Sequence, residues 1–386
     1  MKTRKDNKRR YAHWGMLIVF GVAIAMVFAT SMPLAMAGKP TPPSPDLFNV
    51  STIDSRGDVG HFTRIALDSH NNVHMTYYDA TNYALKYATN ADGPWKLQTI
   101  AVVGSKYDYP VGGVADIAVD SHDNVQIIYR DTNHNLIYTH KAAGIWVPEM
   151  LAPEVWGLFS LAVDKLDKLH ISYYEDSNPN LPCIRYAYGS YGAWTFETIA
   201  AGVDLSWSTS LALDSFGQAH VLYLGLSDFK LRYANSINDW VPQTIDSSVF
   251  VAARPCIAID SANGIHLCYF AHDGQLRQQV LRYADNVGGS WSYMTIDSSA
   301  DPYGHWSSIA VDSNNKVHIS YSDYASGSFK QILMYATNAN GNWQNKVADG
   351  SQNVGLENDI AVDPQLGVHI SYLDSSKSDL KYAKSI

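Results

Sequence analysis

The 386-residue sequence predicts an all-β chain: a seven-bladed β-propeller of four-stranded antiparallel blades, closed by an N-terminal segment that completes the last blade. Three observations carry that expectation. A four-residue word, aliphatic-Ala-aliphatic-Asp, ends at Asp68, Asp120, Asp164, Asp214, Asp260, Asp312 and Asp363, at spacings of 44 to 52 residues. Nine positions after each aspartate stands a tyrosine: Tyr77, Tyr129, Tyr173, Tyr223, Tyr269, Tyr321 and Tyr372. A tryptophan closes six of the repeats, Trp95, Trp146, Trp194, Trp240, Trp291 and Trp343, and is missing from the seventh. Such a period is the length of one supersecondary unit and too short for a separate domain.

The chain opens with a different segment. Residues 2–10 carry six basic side chains and one acid, an apolar run follows from Met16 to Ala29, and Ala35-Met36-Ala37 comes after it. This is the order of a signal peptide, with cleavage expected after Ala37; reading on to Ala37, the same stretch would serve as an uncleaved anchor. Residues 38–46 (GKPTPPSPD) are a proline-rich spacer, and 47–386 form the propeller domain. Without residues 1–37, the 28 Lys+Arg and 37 Asp+Glu become 22 and 36, a net charge of −14. Such an acidic chain repels phosphate backbones, which excludes nucleic acid as a partner class. The expected location is therefore secreted or cell-surface, with membrane contact only through an uncleaved N-terminal segment. Nothing in the sequence fixes an oligomeric state.

Within a repeat, four short runs rich in β-branched and aromatic residues are separated by Asn, Asp, Gly and Ser clusters, the pattern of a strand meander. We call them A (as in residues 308–312), B (317–323), C (332–337) and D (343–347). Strand A is expected innermost because its central residue is always alanine (Ala66, Ala118, Ala162, Ala212, Ala258, Ala310, Ala361), and only a small side chain lets sheets converge on an axis. Strand B has few charges on either face, as a strand covered on both sides should. The seventh repeat ends at Tyr382-Ala-Lys-Ser-Ile386 without a strand D, while Leu47-Phe-Asn-Val-Ser-Thr-Ile53 resembles one. The N-terminal segment should supply it and remove the open edges. Three cysteines, Cys183, Cys256 and Cys268, are too few for a disulfide scaffold. Cys256 and Cys268 fall on one predicted hairpin, where register decides between a bond and buried thiols.

Blocks such as Ile309-Ala-Val-Asp-Ser-Asn-Asn-Lys-Val-His-Ile-Ser-Tyr321 resemble the tandem repeats of exported bacterial and archaeal β-propellers of the sialidase-like, BNR/Asp-box superfamily, over residues 47–386. Thr89-Asn-Ala-Asp-Gly-Pro-Trp95 and Thr337-Asn-Ala-Asn-Gly-Asn-Trp343 are similar to an Asp-box one residue short. For a sialidase the resemblance implies an arginine triad, an acid/base aspartate and a tyrosine nucleophile assisted by a glutamate. The Phe-Arg-Ile-Pro motif of those enzymes is absent, and Arg185, Arg232 and Arg282 belong to the repeated strand C. Arg56, Arg64, Arg130, Arg254 and Arg277 remain as candidates.

Histidines follow six of the seven aspartates by six positions (His74, His170, His220, His266, His318, His369; Gln126 in the second repeat). A metal or catalytic site needs converging residues and not one per blade, so these are expected to be structural and bonded to strand A or its turn. Acids two residues after the strand B tyrosine (Asp79, Asp131, Glu175, Asp323, Asp374) are expected to cap turns. A calcium-binding rim is their other reading, unsupported by any D-x-D-x-D-G loop, and no cofactor is expected.

A ligand site in a repeat protein comes from residues the repeat does not dictate. The D-to-A connections and the starts of strand A should gather at one mouth of the channel. There the sequence places His61, Arg64, Tyr109, Asp116, Trp156, Trp207, Arg254, His305, Trp306, Glu357 and Asp359, with Arg130 replacing an apolar or hydroxyl residue at the exit of strand B. Aromatic faces, arginines and acids together suit a glycan. The expected function is a non-enzymatic binding module for carbohydrate or a surface protein. The alternatives are a polysaccharide-acting enzyme at the channel mouth, either a glycosidase with Asp116, Glu357 and Asp359 as candidate carboxylates or a lyase with His305 or Tyr109 as base beside Arg64 or Arg254, and a protein-protein scaffold.

Overall fold

A computed structural model describes residues 47–386 except 105–114, 179, 203–204, 226–227, 249, 274–277, 299–305 and 326–329, with backbone alone at 205–207, 250, 252–254, 273 and 278. Seven four-stranded antiparallel sheets are present. Their innermost strands are Val59–Leu67, Ala115–Val119, Val155–Val163, Leu205–Leu213, Phe250–Ile259, Ser307–Val311 and Val354–Val362. Each packs on the next, and the last packs back on the first, so the ring is closed. The helical content of the described residues is one short 3-10 turn, Ser236–Asn238, capped by the Asn235 side chain.

Closure follows the expected route. Phe48–Asp54 pairs antiparallel with Asp379–Ser385 and becomes the outer strand of the seventh blade. The core is divided into seven apolar clusters, one in each seam between blades. The seven alanines of strand A are each partly exposed and pack on the seam cluster. The strand B tyrosines are buried, six of them completely or nearly so.

Each strand C tyrosine joins its own blade to the next. Its ring meets the strand D tryptophan of the following blade edge-on or tilted: Tyr87 with Trp146, Tyr138 with Trp194, Tyr186 with Trp240, Tyr233 with Trp291, Tyr283 with Trp343 and Tyr382 with Trp95, at centroid distances of 4.9 to 5.6 Å. At the seventh seam Phe48 takes the place of the missing tryptophan, 5.3 Å from Tyr335. Such geometry sets a positive ring edge against a negative face.

The same tyrosine's hydroxyl ends a polar chain that fixes the inside of its blade. Asp312 accepts hydrogen bonds from the backbone N–H groups of Asn314 and Lys316 through one carboxylate oxygen; its other oxygen lies 3.2 Å from Nε2 of His318. His318 Nδ1 lies 2.6 Å from Tyr335 Oη. Asp-His-Tyr chains recur with His74, His170, His266 and His369; His220 meets Tyr233 in the same way but stands 3.6 Å from Asp214, and in the second blade Gln126 bridges Asp120 and Tyr138. The recurring histidines are thus structural, held by the turn aspartate. Burial lowers the pKa of His74, His170, His220, His318 and His369, so these rings stay neutral at physiological pH.

Three of the acids after strand B cap turns, as their spacing predicts: Asp79 accepts from Asn82 N–H, Asp131 from the N–H groups of Asn133 and Asn135, and Asp374 from those of Ser376 and Lys377. Glu175 instead meets Ser177 Oγ and Arg185, and Asp323 accepts from the adjacent Tyr324 N–H. A further buried set had no reading in the sequence. Asp54, Asp246, Asp297 and Asp349, at the ends of strand D, each accept from the strand B tyrosine hydroxyl of the next blade, Tyr77, Tyr269, Tyr321 and Tyr372, at 2.7 to 2.8 Å. Burial opposes the charge on Asp349, but bonds from Lys381, Tyr372 and Ser351 hold its carboxyl below the usual range. Cys256 and Cys268 are directly opposite in register and are free thiols, Cys256 donating to the Ser307 carbonyl at 3.0 Å.

Two predictions follow from this construction. Phe48→Ala should destabilise the domain by about 3 kcal/mol or more, because it empties the seventh aromatic seat; a change below about 0.5 kcal/mol in urea unfolding would mean that the clasp contributes little. The depressed histidine pKa values make stability complete above the unfolded value of about 6.5 and lost as pH falls from there towards the folded values. His318→Gln, copying the second blade, should lose less stability than the parent between about pH 7 and pH 5. Equal losses in paired urea titrations would show that His318 is not proton-linked.

Candidate functional site

The innermost strands surround a channel cavity of about 220 Å³, whose lining includes Arg64, Asp116, Trp306 and Asp359. Four of the residues singled out from sequence therefore share one cavity. Three of them, Arg64, Asp116 and Asp359, occupy the same place in their repeats, two residues before the strand A alanine. Ser160, Ser210, Cys256 and Ser308 hold that place in the other blades, and all four line the cavity too.

This position links neighbouring blades. Asp116 accepts from Leu161 N–H at 2.8 Å, Ser160 from Leu211 N–H at 3.2 Å, Ser210 from Ile257 N–H at 3.3 Å and Asp359 from Ile65 N–H at 2.9 Å. Ser308 donates to the second oxygen of Asp359 at 2.6 Å, and the second oxygen of Asp116 accepts from Ile117 N–H at 3.0 Å. Arg64 lies on the blade between those of Asp116 and Asp359. Its Nε is 3.8 Å from Asp116, and one terminal nitrogen donates to the Thr63 carbonyl. Burial pushes the Asp116 carboxyl up to about 6, against the pull of Arg64 and with a further push from the Asp359 charge.

Strand A is longer than the repeated word implies, so several candidates belong to strands rather than to connections. In the first and seventh blades the extension is a bulge: Gly60 and Gly355 both have φ of +89°, followed by Phe62 and Glu357 at +52° and +53°. A Cβ on Gly60 would stand 2.7 Å from Leu380 Cα, and one on Gly355 the same distance from Leu333 Cα, so close backbone approach requires glycine at both. The bulge turns His61 towards the seventh blade, with Nδ1 3.4 Å from Glu357 and Nε2 2.8 Å from Asp58. Burial disfavours the charged ring, but the two carboxylates prevail and raise its pKa. Glu357 also accepts from Phe62 N–H at 2.7 Å, and the Phe62 ring lies 6.1 Å from that of Trp306.

Arg130 and Trp156 meet away from this group. The Arg130 guanidinium lies 5.5 Å over the Trp156 ring, which also stacks on His134 at 4.2 Å. Trp207 and Arg254 lie on innermost strands; their side chains, and the whole of Tyr109 and His305, are outside the described residues. Sequence reasoning passed over Phe62, Asn358 and the four small cavity residues. Asn358 accepts from Ser320 Oγ and donates to the Gly355 carbonyl, fastening the bulge. The signal for the small residues was available in their constant offset from the strand A alanine.

No family model and no curated protein matches this sequence. Among solved structures the chain is similar to a polysaccharide lyase, Uly1, with 10% identity over 92% of this chain and 93% of that one and a TM-score of 0.56. It is also similar to a protein of unknown function from Dyadobacter fermentans, with 10% identity, coverage of 75% and 98%, and a TM-score of 0.50. A third match, the six-bladed fungal lectin of Aleuria aurantia, has 14% identity, coverage of 80% and 97%, and a TM-score of 0.47. At these identities the likeness is one of propeller fold.

The serine used by three other blades gives a test of the position's role. Asp359→Ser should keep most of the stability, whereas Asp359→Ala should cost about 1–3 kcal/mol by leaving Ile65 N–H without its acceptor. Equal stability of the two variants in denaturant unfolding would contradict an inter-blade bond here.

Proposed function

We propose that this protein is an exported, non-enzymatic binding module that engages carbohydrate at the channel mouth, an outlying relative of the sialidase-like propellers. The observation that carries the reading is how the cavity's carboxylates are used. Both oxygens of Asp116 and both of Asp359 hold hydrogen-bond donors of the scaffold. Those bonds tie each carboxylate to the scaffold and fix its orientation, and a rigid polar wall beside an arginine and a tryptophan is what sugar binding uses. The basic, apolar and small-residue order of residues 2–37 supports export.

A polysaccharide-acting enzyme is the second reading, favoured by one observation. A carboxyl with a pKa of about 6, as burial gives Asp116, suits a general acid.

A glycan array followed by calorimetry separates the two. Binding should persist without turnover, and Trp306→Ala should weaken it at least tenfold, about 1.4 kcal/mol. Release of reducing ends or of ultraviolet-absorbing unsaturated sugar from a bound polysaccharide would establish the enzyme instead. Absence of any glycan binding, with capture of a surface protein, would overturn both.

A further inference from the structure

Outside the channel, a groove of about 570 Å³ lies where the first blade meets the closing strand, lined by Arg56, Asn82, Lys86, Gln98, Thr99 and Val102 among others. Its size is that of a small-ligand site. Four blades end strand D with an aspartate, and in three of them the residue two positions on in the sequence is a serine, Ser248, Ser299 and Ser351. Ser248 N–H and Ser351 N–H each donate to that aspartate at 2.9 Å. Arg56 N–H makes the equivalent bond to Asp54, at 3.2 Å. A serine thus satisfies the turn, and the fold has no need of a guanidinium there.

The arginine is nevertheless held in place. Its Nε donates to Asp54 at 3.1 Å, while the side chain as a whole is 69% exposed. Asp54 is itself fixed by the Tyr77 hydroxyl and the Lys86 ammonium. The turn is pinned from the other side by Asp58 N–H donating to Thr81 Oγ1 at 2.7 Å. Gly57, at φ +107°, lets the chain pass Thr81, whose hydroxyl a Cβ would meet at 2.6 Å. With Nε anchored, the terminal nitrogens form a pre-aimed fork, the geometry that takes an oxyanion in two bonds.

Nearby negative charge is already engaged. Asp54 is buried among three donors, and Asp79 accepts from the Asn82 backbone and side chain at 2.9 Å each, with Lys86 3.9 Å away. Asp58 pairs with His61. Exposed Gln98 and Thr99 offer an amide and a hydroxyl on the outer strand, and Val102, 63% exposed, offers an apolar face.

We propose that this seam groove is a second binding site, distinct from the channel, for a sugar bearing one oxyanion group, a carboxylate or a sulfate ester, seated on the Arg56 fork. Ring hydroxyls are met by Gln98, Thr99 and Asn82. The ligand class follows from an anchored arginine beside amide and hydroxyl groups, with the two other charged lining residues already engaged, Asp79 by Asn82 and Lys86 by Asp54.

The test is calorimetry and saturation-transfer NMR on the purified chain with glucuronate, glucose 6-sulfate, glucose, acetate and inorganic sulfate. The two anionic sugars should bind at least tenfold more tightly than glucose or the bare anions, and their ranking identifies which oxyanion the groove takes. Arg56→Ser, the residue of the fourth, fifth and sixth blades, should abolish that preference without lowering the melting temperature, and Arg56→Lys should retain part of it. An unchanged affinity in Arg56→Ser would place the sugar elsewhere, overturning this site and leaving the channel reading intact. Equal binding of acetate or sulfate and the anionic sugars, or no binding of either anionic sugar, would also overturn it.

Discussion

The structure depends on one side chain used twice, the tyrosine of strand C. Its hydroxyl ends the Asp-His chain that orders its own blade, and its ring receives the tryptophan of the next. Tyr87 does both, toward His74 and toward Trp146. Order within a blade and contact between blades are therefore not separable. This coupling lets a ring of short sheets behave as one body without a disulfide, since each seam buries its own apolar cluster and a partly formed blade would leave both a hydroxyl and a ring without partners.

The closing blade obeys the same rule with different material. Phe48 meets Tyr335 where a tryptophan would stand, and Lys381 and Tyr372 meet Asp349 as Lys86 and Tyr77 meet Asp54. The clasp thus closes the ring with an aromatic contact like that of the other seams and with a tyrosine-aspartate bond, Tyr77 to Asp54, shared with three of them. Departures from the repeat that face the candidate surfaces lie at the starts of the innermost strands and in the turns after strand D. There the chain carries Trp306, His61, Glu357 and Arg56, and there the candidate recognition surfaces lie.

Blade number, strand order and the N-terminal clasp were legible in the sequence because each is a statement about intervals along the chain. The seven aspartates, the unfailing tyrosine and the missing seventh tryptophan are enough for them. What could not be read is which atom of a neighbouring blade a side chain meets, because an interval does not encode that. Arg64, Asp116 and Asp359 look like departures from the repeat, yet two of them do for the next blade what Ser160 and Ser210 do. The aspartates at the ends of strand D went unnoticed for the same reason: their partners lie in another repeat. Arg56 was visible as a spare arginine, but its groove exists only once the ring has closed.

The most direct measurement of the central claim is a double-mutant cycle on Tyr283 and Trp343, with urea unfolding of Tyr283→Leu, Trp343→Leu and the pair. The ring contact predicts a coupling of about 0.5–1.5 kcal/mol beyond the separate losses. Strictly additive losses would mean that the two rings merely share a seam, and that something other than the tyrosine joins one blade to the next.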